Sequence, residues 1–171
     1  FKENKIIKAK SGDDLFLTID LNIQTQAEEI LSALVKKFQA ARGTVIVQQP
    51  ATGKILAMGS YPNFDPNNYS QSDIAAFINP AVQSVYEPGS IFKVLTMAAG
   101  IDSGAIAPET SYYDTGETKV WDRTIKNWDL KGYGSITMTE VIEHSVNTGA
   151  VFAQKKTGHN PFYDYLLKFG F

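Results

Sequence analysis

Two β-rich runs, 44–49 (TVIVQQ) and 54–60 (KILAMGS), flank Pro50-Ala51-Thr52-Gly53. Aliphatic and β-branched runs separated by Pro and then Gly predict an antiparallel hairpin. This pair constrains the fold more than any other feature, because a two-stranded hairpin is marginal in water. It therefore predicts a sheet whose further strands lie outside this chain. The hairpin follows a clear helix. After Asp20, a good N-cap, Ile23, Ala27, Ile30, Leu31, Leu34, Val35 and Phe38 recur at helical spacing. That pattern predicts an amphipathic helix over 21–40, ended near Gly43 and preceded by a short extended segment over 13–20.

The rest of the chain reads as mostly helical. Residues 61–70 (YPNFDPNNYS) carry Pro and Asn too densely for anything but loop, with Asp65 as a turn former, and 72–78 suit a short helix. A longer helix is predicted from Ser90 to Asp102, closed by Gly104. Residues 105–135 show no clear period and are expected to be a long irregular segment, its aromatic residues (Tyr112, Tyr113, Trp121, Trp128 and Tyr133) packing the loop. Thr137-Met138-Thr139-Glu140 is a capping box that opens a helix, interrupted at Ser145-Val146-Asn147. Helices over 148–157, stopped by Gly158, and over 161–169 complete the reading.

Composition excludes several functions. Sixteen Lys and Arg against eighteen Asp and Glu leave a net charge of −2, with no basic run to attract nucleic acid. Without cysteine there are no disulfides, thiol chemistry or thiolate metal sites, and His144 and His159 lack metal-ligand spacing. No cofactor is indicated. No apolar stretch is long enough to span a bilayer.

One residue breaks the apolar pattern in "AVQSVYEPGSIFKVL" (81–95): Lys93 falls one turn after Ser90, inside an otherwise apolar helix. At that spacing the amine can reach the serine oxygen. A serine hydroxyl is a weak nucleophile until a base accepts its proton, and a lysine serves only when its pKa is depressed. Burial among Ile91, Phe92, Val94 and Leu95, with the positive end of the helix dipole, would disfavour the ammonium. Pro88-Gly89 would let the chain turn sharply and present Ser90 at the first turn, near free backbone N–H groups. The same pair equally suits a plain N-cap serine and a surface lysine. Glu87 suits either a turn or an ion pair, and His144 a helix end. Ser145-Val146-Asn147 adds a hydroxyl and an amide in a break between helices, able to relay a proton and hold a peptide carbonyl, or simply to cap.

The blocks "LTIDLNIQTQAEEIL", "GTVIVQQPATGKILAMGSYPNFDPNNY", "YEPGSIFK", "GSITMTEVIEHSVNTGAVFA" and "FYDYLLKFGF" together resemble the penicillin-recognising serine transpeptidases, specifically the class B penicillin-binding proteins. The resemblance runs through nearly the whole chain. It implies an α+β fold of the penicillin-binding-protein and β-lactamase kind: an antiparallel sheet flanked by helices plus a helical subdomain, incomplete here. Residues 1–12 would be the tail of a linker from an upstream domain, and 13–171 the first part of the transpeptidase domain. By resemblance Ser90 is the acylated nucleophile, Lys93 its base, Ser145 the hydroxyl that passes a proton to the leaving group, and Asn147 a substrate-positioning amide. Lys156-Thr157-Gly158 resembles the family's Lys-Thr-Gly box in letters only. It follows Asn147 too closely and ends a helical run, so Lys155, Lys156 and Thr157 are expected to be a solvated helix end.

The implied activity is D,D-transpeptidation: cross-linking of peptidoglycan stem peptides through an acyl-serine, with β-lactams trapping Ser90. The implied partners are those stem peptides, β-lactam antibiotics, the carboxy-terminal remainder of the same domain and proteins of a cell-wall synthesis complex. The implied location is the outer face of the cell membrane, anchored by a segment outside this chain. A β-lactamase or β-lactam sensor shares the same motifs, and an inactive fragment is the third expectation.

Overall fold

The computed structural model describes residues 10–171, so most of the expected linker tail, 1–9, lies outside the described residues. The chain forms two compact units that divide between Tyr86 and Glu87.

In the first unit, helix α1 spans Leu21–Phe38. The Asp20 carboxylate accepts the N–H groups of Asn22 and Ile23 at 2.9 and 3.1 Å, satisfying two donors that the helix start leaves free. The helix ends earlier than expected, at Gln39 with φ 51°, rather than at Gly43. Strands β1 (Gly43–Gln48) and β2 (Ile55–Tyr61) form the expected antiparallel hairpin, irregular at Val47/Gln48. Ala27, Leu31 and Val35 are the buried face of α1, and a Cβ on Gly43 would lie 2.8 Å from both Leu31 and Val35. Glycine there lets the helix lie close on β1. Gln24 binds Met58 from both ends of its amide, accepting its N–H at 2.8 Å and donating to its carbonyl at 3.0 Å, as a neighbouring strand would. The segment over 13–20 is not a strand, but it too follows β2: Thr18 donates to the Ile55 carbonyl and the Asp20 N–H to that of Leu56. The Asp65 loop holds a 3-10 turn over Pro66–Gln71, capped by Asp65; a second turn covers Ile74–Phe77, and a one-turn helix α2 covers Pro80–Gln83.

The second unit begins with a 3-10 turn, Gly89–Phe92, that runs into helix α3, Lys93–Asp102. Gly89 has φ +64°, so the sharp entry expected of Pro88-Gly89 is present. The segment expected to be irregular instead holds strands β3 (Ser111–Asp114), β4 (Glu117–Val120) and β5 (Arg123–Lys126), followed by β6 (Gly134–Thr137). β3 pairs with β6, and β4 with β5 across a Trp121-Asp122 turn. Four-residue strands are too short to display a period of two, which is why the sequence pattern does not reveal them.

Thr137 and Glu140 form the expected capping box on α4 (Met138–Glu143). The chain breaks at His144–Val146 and resumes as α5 (Asn147–Thr157) and α6 (His159–Lys168). Met97, Ile106, Ile136, Met138, Val141, Val146 and Ala153 form the core. Two glycines allow its close packing. A Cβ on Gly100 would meet Ile106 at 2.7 Å, and one on Gly149 would meet Val141 at 2.6 Å and the Tyr112 hydroxyl at 3.0 Å. Of the aromatic residues expected to anchor the loop, Tyr112 stacks on Phe152 and Tyr133 on His144. Trp128 is largely exposed but its indole donates to the His144 carbonyl, whereas Tyr113 and Trp121 face solvent. No helix among the described residues is long and apolar enough to cross a membrane.

Candidate active site

Three of the four expected site residues converge. Lys93 starts α3 and is only 8% exposed. Its Nζ lies 3.1 Å from Ser90 Oγ and 2.9 Å from Ser145 Oγ, and donates to the Ser145 carbonyl at 2.6 Å. Burial of Lys93 is borne out but its expected cause is not: Ile91 and Val94 are exposed, and the ammonium is met by Ser145, 52 residues on. Neighbours at i±1 on a helix point elsewhere, so they do not cover the amine.

Burial pushes the Lys93 pKa below its ordinary value. Lys93 also meets no carboxylate, for the one ion pair among the described residues joins Lys126 to Glu117. Glu87 makes no ion pair among the described residues and is exposed in an irregular stretch just before the Gly89–Phe92 turn. A neutral amine has two hydrogens and one lone pair. As an ammonium, Nζ donates to all three oxygens; in the neutral form the Ser145 carbonyl and Ser145 Oγ take its two hydrogens and the lone pair faces the Ser90 hydroxyl. Ser90 itself is exposed. The arrangement can take a proton from an accessible hydroxyl and pass one through a second hydroxyl.

Ser145 has φ 54°, a left-handed conformation that costs a residue with a side chain of order 1 kcal/mol or more. His144 caps α4 immediately before it, as expected of a helix-end residue. Asn147 starts α5, but its amide donates to the Lys126 carbonyl at 2.8 Å and makes no hydrogen bond to Ser90 or Lys93. It lies two residues from the cluster and outside its hydrogen bonding.

A second polar cluster escapes sequence reasoning. Asp114, Asn127 and Thr148 are 2%, 1% and 4% exposed. Asp114 accepts from the Thr148 hydroxyl at 2.6 Å, the Asn127 amide at 2.8 Å, and the Gly116 and Tyr133 N–H groups at 3.0 Å. Burial alone would raise its carboxyl, yet the donors, led by Thr148, outweigh that and hold it below the usual range. Asn127 Oδ1 accepts the N–H groups of Asn147 and Thr148 at 3.1 and 3.2 Å. Lys156-Thr157-Gly158 ends α5 as expected, with Lys155 and Lys156 exposed. Thr157 corrects the expectation: it is buried, donating to the Ala153 carbonyl at 2.9 Å, because that side of the last turn faces Gly100 on α3.

For this two-unit α+β chain, in which one lysine bridges two serines, the comparisons agree on the family. Residues 43–171 match the penicillin binding protein transpeptidase domain. Stage V sporulation protein D of Bacillus subtilis (strain 168) is 34% identical over 164 residues, 95% of this chain and 25% of the relative. A peptidoglycan D,D-transpeptidase FtsI homolog of Mesostigma viride is 34% identical over 91% of this chain and 27% of its own length. The crystal structure of Pseudomonas aeruginosa PBP2 in complex with WCK 5153 superposes with a TM-score of 0.75 at 28% identity, covering 91% of this chain and 37% of that one. The chain belongs to the penicillin-binding protein transpeptidase family and covers part of a class B transpeptidase domain, with the α+β fold expected of it. It spans about a quarter of the length of these two curated relatives.

Proposed function

We propose that this chain carries the nucleophile half of a peptidoglycan D,D-transpeptidase. The observation that supports the reading most directly is Lys93 Nζ within hydrogen-bond distance of both Ser90 Oγ and Ser145 Oγ. Ser90 Oγ attacks the carbonyl between the two terminal D-alanines of a stem peptide while Lys93 takes its proton. The tetrahedral intermediate collapses with cleavage of the C–N bond. The departing D-alanine amine takes a proton relayed from Lys93 through Ser145, leaving an acyl ester on Ser90. An amine of a neighbouring stem then attacks the ester, the C–O bond breaks, and the Ser90 hydroxyl is restored with the peptide cross-link formed. Backbone N–H groups at the first turn of the Ser90 helix supply part of the oxyanion stabilisation. Asn147 positions the substrate.

A β-lactam takes the place of the D-Ala-D-Ala end and traps Ser90. Transpeptidase names among the relatives, the FtsI homolog included, favour cross-linking over drug hydrolysis or sensing. Further strands beside β1, supplied by a carboxy-terminal remainder, complete the sheet and the cleft. The whole protein works at the outer face of the cell membrane, held by an anchor elsewhere in its sequence and joined to other cell-wall synthesis proteins.

The test is intact-mass spectrometry of the full-length protein after exposure to a fluorescent penicillin, followed by peptide mapping. One adduct on the peptide containing Ser90, absent from Ser90→Ala, is expected. A drug ester at the same site in Ser90→Ala, or no adduct on a folded wild-type protein, would overturn the assignment.

A further inference from the structure

We infer that Asn127 is a positioning residue for the acyl-transfer site, holding the start of α5 so that Ser145 stays within reach of Lys93. The inference rests on the roles proposed above for Ser90, Lys93 and Ser145.

Helix α5 cannot cap itself. Its N-cap residue is Val146, which is fully buried, apolar and without a side-chain cap bond. The first N–H groups of a helix have no partner within it, and leaving them buried and unpaired is costly. Asn127 meets that need from another element: its Oδ1 accepts the N–H groups of Asn147 and Thr148, the first two residues of α5. Asn147 answers by donating its amide to the carbonyl of Lys126, so the last residue of β5 and the residue after it grip the first two residues of α5.

The direction of the Asn127 amide is forced. Its Nδ2 donates to Asp114 Oδ2 at 2.8 Å and to the Lys131 carbonyl at 2.9 Å, and neither of those oxygens can donate in return. A flipped amide would aim its oxygen at a carboxylate and its NH₂ at two N–H groups. Asp114 in turn is held by the Thr148 hydroxyl and two backbone N–H groups. The cap is therefore rigid before substrate arrives.

Ser145 lies between this cap and Lys93. It occupies a left-handed conformation without glycine's freedom, and its hydroxyl and carbonyl are bound by Lys93. A strained residue at a break between two helices keeps its geometry only when both sides are fixed. Lys93 fixes one side and Asn127, through the N–H groups of Asn147 and Thr148, the other. Releasing the cap frees α5 to shift at its start and carries the Ser145 hydroxyl away from the amine.

The experiment measures penicillin acylation of the full-length protein as a function of drug concentration, which separates the limiting acylation rate from drug affinity. Asn127→Ala is expected to lower the limiting rate about a hundredfold while affinity changes little, the size expected of a displacement of order 1 Å in a reacting group. In a Ser145→Ala background the same change should add almost nothing, since the group it positions is gone. Leu31→Ala, on the buried face of α1 in the first unit, controls for lost stability: it should lower the melting temperature and leave the limiting rate intact. If Asn127→Ala melts below the assay temperature, Asn127→Gln carries the test, keeping the amide but displacing it by a methylene. A folded Asn127 variant acylating at the wild-type rate would overturn the inference, as would a rate loss persisting in full without the Ser145 hydroxyl. A wild-type protein that forms no Ser90 ester would instead remove the underlying reading. Normal Ser90 and Ser145 behaviour with an unaffected Asn127 variant would remove this inference alone.

Discussion

The second unit holds two buried polar groups that treat charge in opposite ways. Lys93 is buried with hydroxyl and carbonyl oxygens around it and no carboxylate, so burial depresses its charged form. Asp114 is buried among four donors, which overcome burial and keep it ionised. A buried ion with every lone pair occupied is a structural fixture, whereas a buried base with an accessible hydroxyl against it is ready to move a proton. The difference lies in the partners rather than in depth. It predicts that the first cluster governs rate and the second stability, with Asn127 as the residue where they meet.

The sharpest way to break this division is Lys93→Ala. Removing a positioned general base is expected to slow acylation by penicillin roughly 10²–10⁴-fold, with little loss of stability. Stopped-flow acylation beside a thermal melt reads both; near-normal acylation would mean that another group acts as base. The pH dependence follows from the direction of the shift. Only neutral Lys93 can accept a proton, so the rate should rise with pH through a pKa below that of an ordinary lysine. Stability should move the same way. The unfolded chain binds the lysine proton more tightly, so stability grows as pH rises from the depressed folded pKa to the ordinary one.

Asp114→Ala attacks the other cluster, and its main effect should be on stability, with any loss of acylation passing through the Asn127 amide that it holds. It strands the Gly116 and Tyr133 N–H groups and one hydrogen of the Asn127 amide and leaves the Thr148 hydroxyl only Asn127 Oδ1 at 3.2 Å, and with a buried orphan at about 1–3 kcal/mol the total loss should exceed about 3 kcal/mol. Because the folded pKa is depressed, the carboxylate stabilises the fold above the ordinary carboxylate range, and that contribution is lost as pH falls through the folded value. Denaturation followed against pH should show a shallower acid limb in the variant than in the wild type, the remainder coming from Asp129 and Glu140, whose carboxyls are also held below the usual range. An unchanged acid limb would show that Asp114 does not carry it.

The two clusters were not equally legible in the sequence. Ser90 and Lys93 lie three residues apart on one helical turn, and Ser145 sits in a helix break marked by a capping box upstream, so local rules reach them. Asp114, Asn127 and Thr148 are joined across 13 and 34 residues. Asp and Asn in a segment rich in Gly and Thr read as turn formers, and no local pattern says that one of them is buried. The hairpin over 44–49 and 54–60 was legible for the same reason as Ser90, since its turn chemistry and both its strands are contiguous. β3 and β6 pair across the intervening segment 115–133 and were not.

Gly149→Ala probes the packing that supports both clusters. An added Cβ would press on Val141 and the Tyr112 hydroxyl, and overpacking of this kind should cost about 1–3 kcal/mol in a thermal melt. Since α5 carries Asn147 and Thr148 at its start, a fall in acylation of the still-folded variant would show that α5 shifts as a unit. Loss of stability alone would show that the Asn127 cap holds its end in place.

The smallest change, Tyr112→Phe, marks the outer limit of the second cluster. The Tyr112 hydroxyl lies 2.9 Å from Thr148 Oγ1, and Thr148 already donates to Asp114, so the phenol is the donor of the pair. Removing it deletes one hydrogen bond at the cluster's rim and strands no donor, an expected cost of about 1 kcal/mol. The N–H groups that Asn127 caps are untouched, so the acylation rate should stay within about twofold of wild type, well short of the hundredfold expected for a displaced reacting group. Burial pushes the phenol up to about 12, so the folded protein keeps this proton where the unfolded chain releases it. Wild-type stability should therefore fall as pH rises from the ordinary tyrosine range towards about 12, and Tyr112→Phe should remove that part of the loss. An acylation rate that fell with this single hydroxyl would extend the control of Ser145 beyond Asn127 into the whole buried network, and the division between a rate cluster and a stability cluster would fail.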